Sequence, residues 1–134
     1  MSVYDNGDIN WIIPNRILAL STPDDRMYKN GNSSSKMLTH LKALNVKCVI
    51  RLNEPYYNRK LFLQNGIEHY DLEFEDGSNP SDYIVDEANR LFQEIKGVIA
   101  VHCRAGLGRT GTIIGIWLMN YYDFTPEEAI SWMR

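Results

Sequence analysis

Residues 98 to 111 read Val-Ile-Ala-Val-His-Cys-Arg-Ala-Gly-Leu-Gly-Arg-Thr-Gly. Four apolar residues (Val98 to Val101) lead in, and an apolar run beginning at Ile113 leads out. That order describes a buried strand, a glycine-bearing loop and then a helix, a unit that belongs to α/β folds. Such a loop can aim backbone N–H groups and a helix N-terminus at one spot, which suits an anion. A cysteine at that spot, Cys103, should be held as the thiolate. Arg109 follows it after five residues and adds a planar fork matched to phosphate oxygens. A thiolate inside a phosphate cradle implies phosphoryl transfer through a phosphocysteine.

The rest of the chain alternates strands and helices around that unit. Trp11 to Pro14 and Ile17 to Leu20 predict short strands about a turn at Pro14-Asn15. Pro23 to Ser35, rich in Asp, Asn, Gly and Ser, predicts a loop. Ser34 or Ser35 is a candidate cap for a helix to Leu44, with Met37, Leu38, Leu41 and Leu44 inward and Asn45 as its stop. Val46 to Leu52 has the β-branched content of a strand. Tyr57 to Asn65 predicts a short helix ended by Gly66, and Ile67 to Phe74 another strand. Pro80 and Ser81 open a helix with Ile84, Val85, Ala88, Leu91, Phe92 and Ile95 on one face, stopped by Gly97. A helix from about Arg109 to Tyr122 follows the Cys103 loop. A last one starts with a capping box of Thr125, Pro126 and Glu128. The fold class is therefore α/β: three layers, with a mainly parallel central sheet flanked by helices. Sites in such folds sit at the carboxyl ends of strands, where the loop after Val101 lies. The 134 residues make one domain. The chain stops partway into its last helix, which reads as a truncated sequence or an unusually short domain.

Composition narrows the partners. Net charge is −3 without a block of Lys or Arg, which disfavours nucleic acid. No segment approaches the roughly 18 apolar residues of a membrane span. The first residues, Met-Ser-Val-Tyr-Asp-Asn-Gly-Asp, have neither the basic nor the apolar region of a signal peptide. With two cysteines, Cys48 and Cys103, this points to a reducing, intracellular compartment, cytoplasm or nucleus. Cys48 reads as a packing residue, with a resolving thiol for Cys103 as the alternative.

Around Cys103 each residue type has a role to fill. Arg109 grips two phosphate oxygens and stabilises charge on the equatorial oxygens in flight. Arg104, Ala105, Gly106, Leu107 and Gly108 form the phosphate-binding loop. Gly106 and Gly108 let the backbone approach closely, while Arg104 and Leu107 sit outward and tune substrate choice. His102 points to the opposite face from Cys103, because neighbours on a strand alternate. It is expected to hold the loop by hydrogen bonds and favour the thiolate, or simply to pack. Thr110 can donate its hydroxyl to the departing sulfur, or cap the helix. An acid must protonate the leaving oxygen and later take a proton from the attacking water. Asp76, in Phe-Glu-Asp-Gly-Ser-Asn-Pro, is the first candidate and Glu75 the second. No metal is implied: Cys103 lacks a nearby second cysteine, and His102 is its direct neighbour.

The loop Val-His-Cys-Arg-Ala-Gly-Leu-Gly-Arg-Thr-Gly resembles the signature of cysteine-dependent protein tyrosine and dual-specificity phosphatases. Asn10 to Pro14, Val49 to Asn53, His69 to Leu72, Asp76 to Asp82 and Thr125 to Ile130 are similar, in that order, to the catalytic domain of the Cdc-fourteen phosphatases. The resemblance covers nearly the whole chain from Asn10. It implies a protein tyrosine phosphatase-like fold and hydrolysis of phosphoserine, phosphothreonine and phosphotyrosine on proteins, without a cofactor. It implies Cys103 as nucleophile, Arg109 and its loop as phosphate site, and Asp76 as general acid. It further implies phosphoserine–proline substrates and a cell-cycle role. On this comparison residues 1–134 are a single catalytic domain without its C-terminal helices. The family's preceding, similarly folded domain is also missing, and Arg104 stands where the family usually has lysine. The rival readings are a phosphoinositide or other small-phosphate phosphatase and a non-catalytic phosphoprotein-binding module.

Overall fold

The computed structural model describes residues 9–21, 32–55, 57–103 and 108–133. Among them five strands form one sheet: β1 (Ile9–Ile13), β2 (Ile17–Ser21), β3 (Val46–Arg51), β4 (Glu68–Asp71) and β5 (Val98–Cys103). Their spatial order is β1-β2-β5-β3-β4. β1 runs antiparallel to β2, and every other pairing is parallel. The β1–β2 turn has Pro14 at its second position and Asn15, with φ 59°, at its third. The amide of Arg16 closes it onto the carbonyl of Ile13 at 2.9 Å, and both residue types suit those positions.

Helices cover both faces, completing the three layers. On β5 the alternation of side chains sorts the core. Val98 and Ala100 face a cluster with Met37, Leu38 and Leu41 of α1 (Asn32–Ala43) and Phe62 of α2 (Lys60–Leu63). Ile99, Val101 and Cys103 face the other cluster. That one is built from α3 (Asp82–Glu94), α4 (Gly108–Tyr121) and α5 (Pro126–Met133). The caps read from sequence are present. Ser81 Oγ accepts from the amide of Ile84, and Thr125 and Glu128 exchange reciprocal side-chain to main-chain bonds of 3.1 and 2.9 Å. Asn45, at φ 61°, ends α1.

Several boundaries differ from expectation: β1 spans Ile9–Ile13 and not Trp11 to Pro14, and β4 only Glu68–Asp71 of the expected Ile67 to Phe74. α1 begins at Asn32, ahead of the predicted Ser34 or Ser35 cap, and residues 23–31 of the predicted loop lie outside the described residues. The helix predicted from Tyr57 to Asn65 shrinks to Lys60–Leu63, because Asn58 Oδ1 caps the amide of Lys60 and Tyr57 is drawn into the core. β5 runs two residues further than the apolar run, so His102 and Cys103 are strand residues.

β3 carries a bulge. Val46 pairs with Val98 and Cys48 with Ile99, leaving Lys47 as an extra residue. The slip turns Val46 to one core and Cys48 to the other. Gly97 sits beside it at φ 131°, and a Cβ there would lie 2.6 Å from Cγ of Lys47. The register also settles the relation of the two cysteines. Cys48 lies opposite Ile99, four residues before Cys103, a span of about 13 Å along the strand. A disulfide needs Cα atoms within about 7 Å, so Cys48 is not a resolving partner in this fold. Its thiol is buried and pushed up to about 12 by that burial and by Glu68.

Candidate active site

The parallel strands β3, β4 and β5 end at one edge, and their continuations stay in register. The amide of Leu52 donates to the carbonyl of His102, Leu72 to Arg51, and Phe74 to Leu52. Three segments are thus laid side by side: Asn53-Glu54 after β3, Phe74 to Ser78 after β4, and the end of β5 with Cys103. Cys103 is buried, 2% exposed. α4 starts beyond the loop at Gly108, placing Arg109 and Thr110 in its first turn.

Arg109 is almost wholly buried. Its Nη1 donates to Glu54 Oε1 at 3.0 Å and to the main-chain oxygen of Phe74 at 2.9 Å. Its Nε is buried with no hydrogen-bond partner among the described residues. A buried guanidinium N–H without an acceptor is costly unless a ligand supplies one, and the fork geometry of arginine suits an oxyanion at that point. Thr110 Oγ1 is likewise buried and unmatched among the described residues. It lies inside the first turn of α4 and not at the cap position, which leaves its hydroxyl for the site.

Asp76 occupies a corner held by its neighbours. Both the amide and the hydroxyl of Ser78 donate to the carbonyl of Glu75, at 3.1 and 2.5 Å, and Gly77 takes φ 81°, the position in such a turn that favours glycine. The corner hangs over the start of α4: a Cβ placed on Gly108 would meet Asp76 Oδ1 at 3.5 Å. Glu75, the second candidate, is also exposed on this loop.

His102 faces away from Cys103, as alternation requires, and is fully buried. Its Nε2 is 2.7 Å from Tyr57 Oη, which is in turn 2.6 Å from His69 Nε2. Burial, with His69 and Arg51 nearby, holds His102 well below the usual histidine range. Burial and Arg51 hold His69 at about 4. Arg51 stacks on Tyr57, 4.4 Å from its ring centre. It also makes a two-point bond to Asp71, its register partner on β4, at 2.5 and 3.0 Å.

The structure therefore gathers Cys103, Arg109, Thr110 and Asp76 at one edge, with His102 behind. Arg104, Ala105, Gly106 and Leu107 lie outside the described residues. Glu54, Tyr57 and His69 were not singled out from sequence as site residues. A histidine at the inward position of β4, two residues after Ile67, was the available signal.

A model of the family described as "Polymorphic toxin system, DSP-PTPase phosphatase" matches residues 25–122. The chain belongs to this DSP-PTPase phosphatase family. Among curated proteins, it is 46% identical to the dual specificity protein phosphatase CDC14B of Mus musculus, over 97% of this chain and 28% of that protein. It is also 46% identical to CDC14A of Homo sapiens, over 97% and 23%. The chain thus spans about a quarter of the length of these relatives. Among solved structures, Tk-PTP in its active form shares 25% identity at a TM-score of 0.76, over 94% of this chain and 82% of that one. The family's protein tyrosine phosphatase-like fold is the five-stranded, helix-flanked sheet described above. Among the described residues no helix is long and apolar enough to cross a membrane.

Proposed function

We propose that this chain hydrolyses phosphate monoesters on serine, threonine and tyrosine side chains of proteins, through a phosphocysteine. Cys103 Sγ, as thiolate, attacks phosphorus in line with the leaving oxygen. Asp76, as the acid, gives that oxygen its proton, so the alcohol or phenol departs neutral. Arg109 offers its Nε–H to the equatorial oxygens, where charge accumulates in flight. In the second step Asp76, now a carboxylate, takes a proton from water as the water oxygen bonds to phosphorus. The S–P bond breaks, Thr110 donates to the departing thiolate, and inorganic phosphate leaves. His102 supports the strand end from behind, and residues 104 to 108 supply the cradle. The scheme calls on no metal or cofactor.

One observation carries the reading: Asp76 Oδ1 lies against Gly108, the residue joining the phosphate loop to Arg109. A carboxyl group beside the start of α4 also suits the helix N-terminus, and it is where a leaving oxygen would be. The dual-specificity protein phosphatases that the chain resembles support protein substrates, and the resemblance favours phosphoserine followed by proline. We place the protein inside the cell, where both free thiols would persist.

The test is hydrolysis of an aryl phosphate by wild type, Cys103→Ser and Asp76→Ala. Full activity in Cys103→Ser would overturn the mechanism. Asp76→Ala should lose about 10² to 10⁴ in kcat, least for leaving groups that need no proton. A panel of phosphotyrosine, phosphoserine–proline and phosphothreonine peptides with phosphoinositides then ranks substrates. Preference for the lipids would displace the protein reading.

A further inference from the structure

β4 is an outer strand of the sheet, paired on one side with β3. The bonds it makes show which of its main-chain groups face outward. The amides of Leu72 and Phe74, in the extension of β4, donate to the carbonyls of Arg51 and Leu52. Main-chain groups alternate sides along an extended chain, so the N–H and C=O of His69, Asp71 and Glu73 point away from β3. The outward carbonyl of His69 is covered by Nη1 of Arg59 at 3.1 Å. Among the described residues no strand pairs beyond β4. The open stretch is therefore Asp71 and Glu73, each with one donor and one acceptor. It runs straight into the corner that carries Asp76.

Side chains alternate as well. Leu72 and Phe74 turn into the core, which puts Asp71 and Glu73 together on the opposite face, both exposed. Glu75, next along the edge, is exposed too. Asp71 is engaged by Arg51. Carboxylates along an outer strand oppose pairing with the same strand of a second copy, because like charges would then face each other. They favour an incoming strand with Lys or Arg at alternate positions. From Glu73 to Asp76 is about 10 Å of extended chain. A strand added at this edge therefore lies within a few residues of the group whose phosphate meets Asp76.

We propose that Asp71 and Glu73 form a docking edge for the substrate: an extended, basic flank of the phosphoprotein adds to the sheet beside β4 by main-chain bonds to these two residues, and so delivers its phosphorylated side chain to Cys103. This rests on the phosphoprotein reading. Main-chain pairing supplies affinity that is indifferent to sequence, and the side chains at alternate positions supply the choice. Arg59 closes the edge on one side, and the turn from Glu75 to Ser78 closes it on the other.

The test uses the full chain and a phosphotyrosine peptide with lysines on both flanks. An N-methyl group, which deletes one main-chain donor and crowds a pairing edge, is placed on one peptide residue at a time. At every second residue of one flank, starting about three residues from the phosphotyrosine, kcat/KM should fall about three- to tenfold. It should hold at the residues between. Losses without that alternation, or no losses, overturn the proposal. Glu73→Pro removes an outward N–H without touching the bonds to β3, a change that an outer strand tolerates. It should lower the ratio of peptide to aryl phosphate kcat/KM by a similar factor and erase the alternation. Glu73→Gln keeps the main chain, so the alternation should persist while the advantage of flanking lysine over alanine shrinks. An unchanged ratio in Glu73→Pro overturns the proposal. So does a lower mass by light scattering at an unchanged ratio, which would mean that the edge pairs with a second copy. Turnover of aryl phosphate but of no peptide would defeat the phosphoprotein reading itself, whereas peptides hydrolysed without alternation defeat only the docking edge.

Discussion

Arg109 and Phe74 are joined by a hydrogen bond of 2.9 Å, from Nη1 to the main-chain oxygen two residues ahead of Asp76. The proposed phosphate-gripping group and the loop of the proposed acid therefore share an anchor. Arg109→Lys keeps the charge but has no fork to hold Phe74 and Glu54 while also meeting an oxyanion. It should lose about 10²-fold or more in kcat on an aryl phosphate. Part of that loss should grow as the leaving group worsens, because the acid loop is loosened too. A loss equal for good and poor leaving groups would separate the two functions.

Glu54 holds the same Nη1 from the other side at 3.0 Å, with its own side chain 43% exposed. The solvated Glu54 end limits what the pair is worth to stability, and we expect it to orient the guanidinium. Glu54→Ala is expected to lower kcat/KM by about five- to tenfold with an unchanged melting temperature. A folded, fully active variant would show that Phe74 alone suffices.

Gly97 is the clearest stability prediction. Any side chain there must adopt φ 131° and press on Cγ of Lys47 at the β3 bulge. Gly97→Ala should destabilise the fold by about 1 to 3 kcal/mol, measured by urea unfolding. If it does not, β3 can shed its bulge without harm.

Acid should weaken the fold through the two buried histidines. His69 is held at about 4 and His102 well below its ordinary 6.5. Between pH 6.5 and about 4 the unfolded chain binds protons that the folded one refuses, so stability falls as pH falls. Each histidine contributes a slope of up to about 1.4 kcal/mol per pH unit. Urea midpoints at pH 7 and pH 4.5 should differ accordingly, and His69→Gln should flatten the dependence.

Peroxide should inactivate the protein without forming an internal disulfide, since the β3–β5 register keeps Cys48 and Cys103 apart. Peptide mapping after brief oxidation should find Cys103 oxidised or joined to an added small thiol, and Cys48 unmodified. A Cys48–Cys103 peptide would require the sheet to open.

The parts of the candidate site that a local pattern marks are visible in the sequence. Cys103, Arg109 and Thr110 are within one strand–loop–helix unit, and Asp76 stands in a turn whose Gly77 and Pro80 mark it as structured. The layers and the mostly parallel sheet followed from alternating periodicities. Glu54 and the Tyr57–His69 pair escaped because they meet the site only through the lateral order β4-β3-β5. Nothing in a linear pattern says that the end of β3 will lie between the ends of β4 and β5. The Lys47 bulge was hidden for a similar reason: it is a property of a pairing, and Val46 to Leu52 looks like an unbroken strand.

The contacts that shape the site span long stretches of chain. Arg109 reaches back 55 residues to Glu54 and 35 to Phe74, and Tyr57 reaches forward 45 to His102. None of these loops can close before β3, β4 and β5 have assembled side by side. An emerging or partly folded polypeptide thus carries the cysteine and arginine but no working arrangement of them. On the proposed mechanism turnover should return only with the last of these long-range pairings, so its recovery after dilution from denaturant should time completed folding.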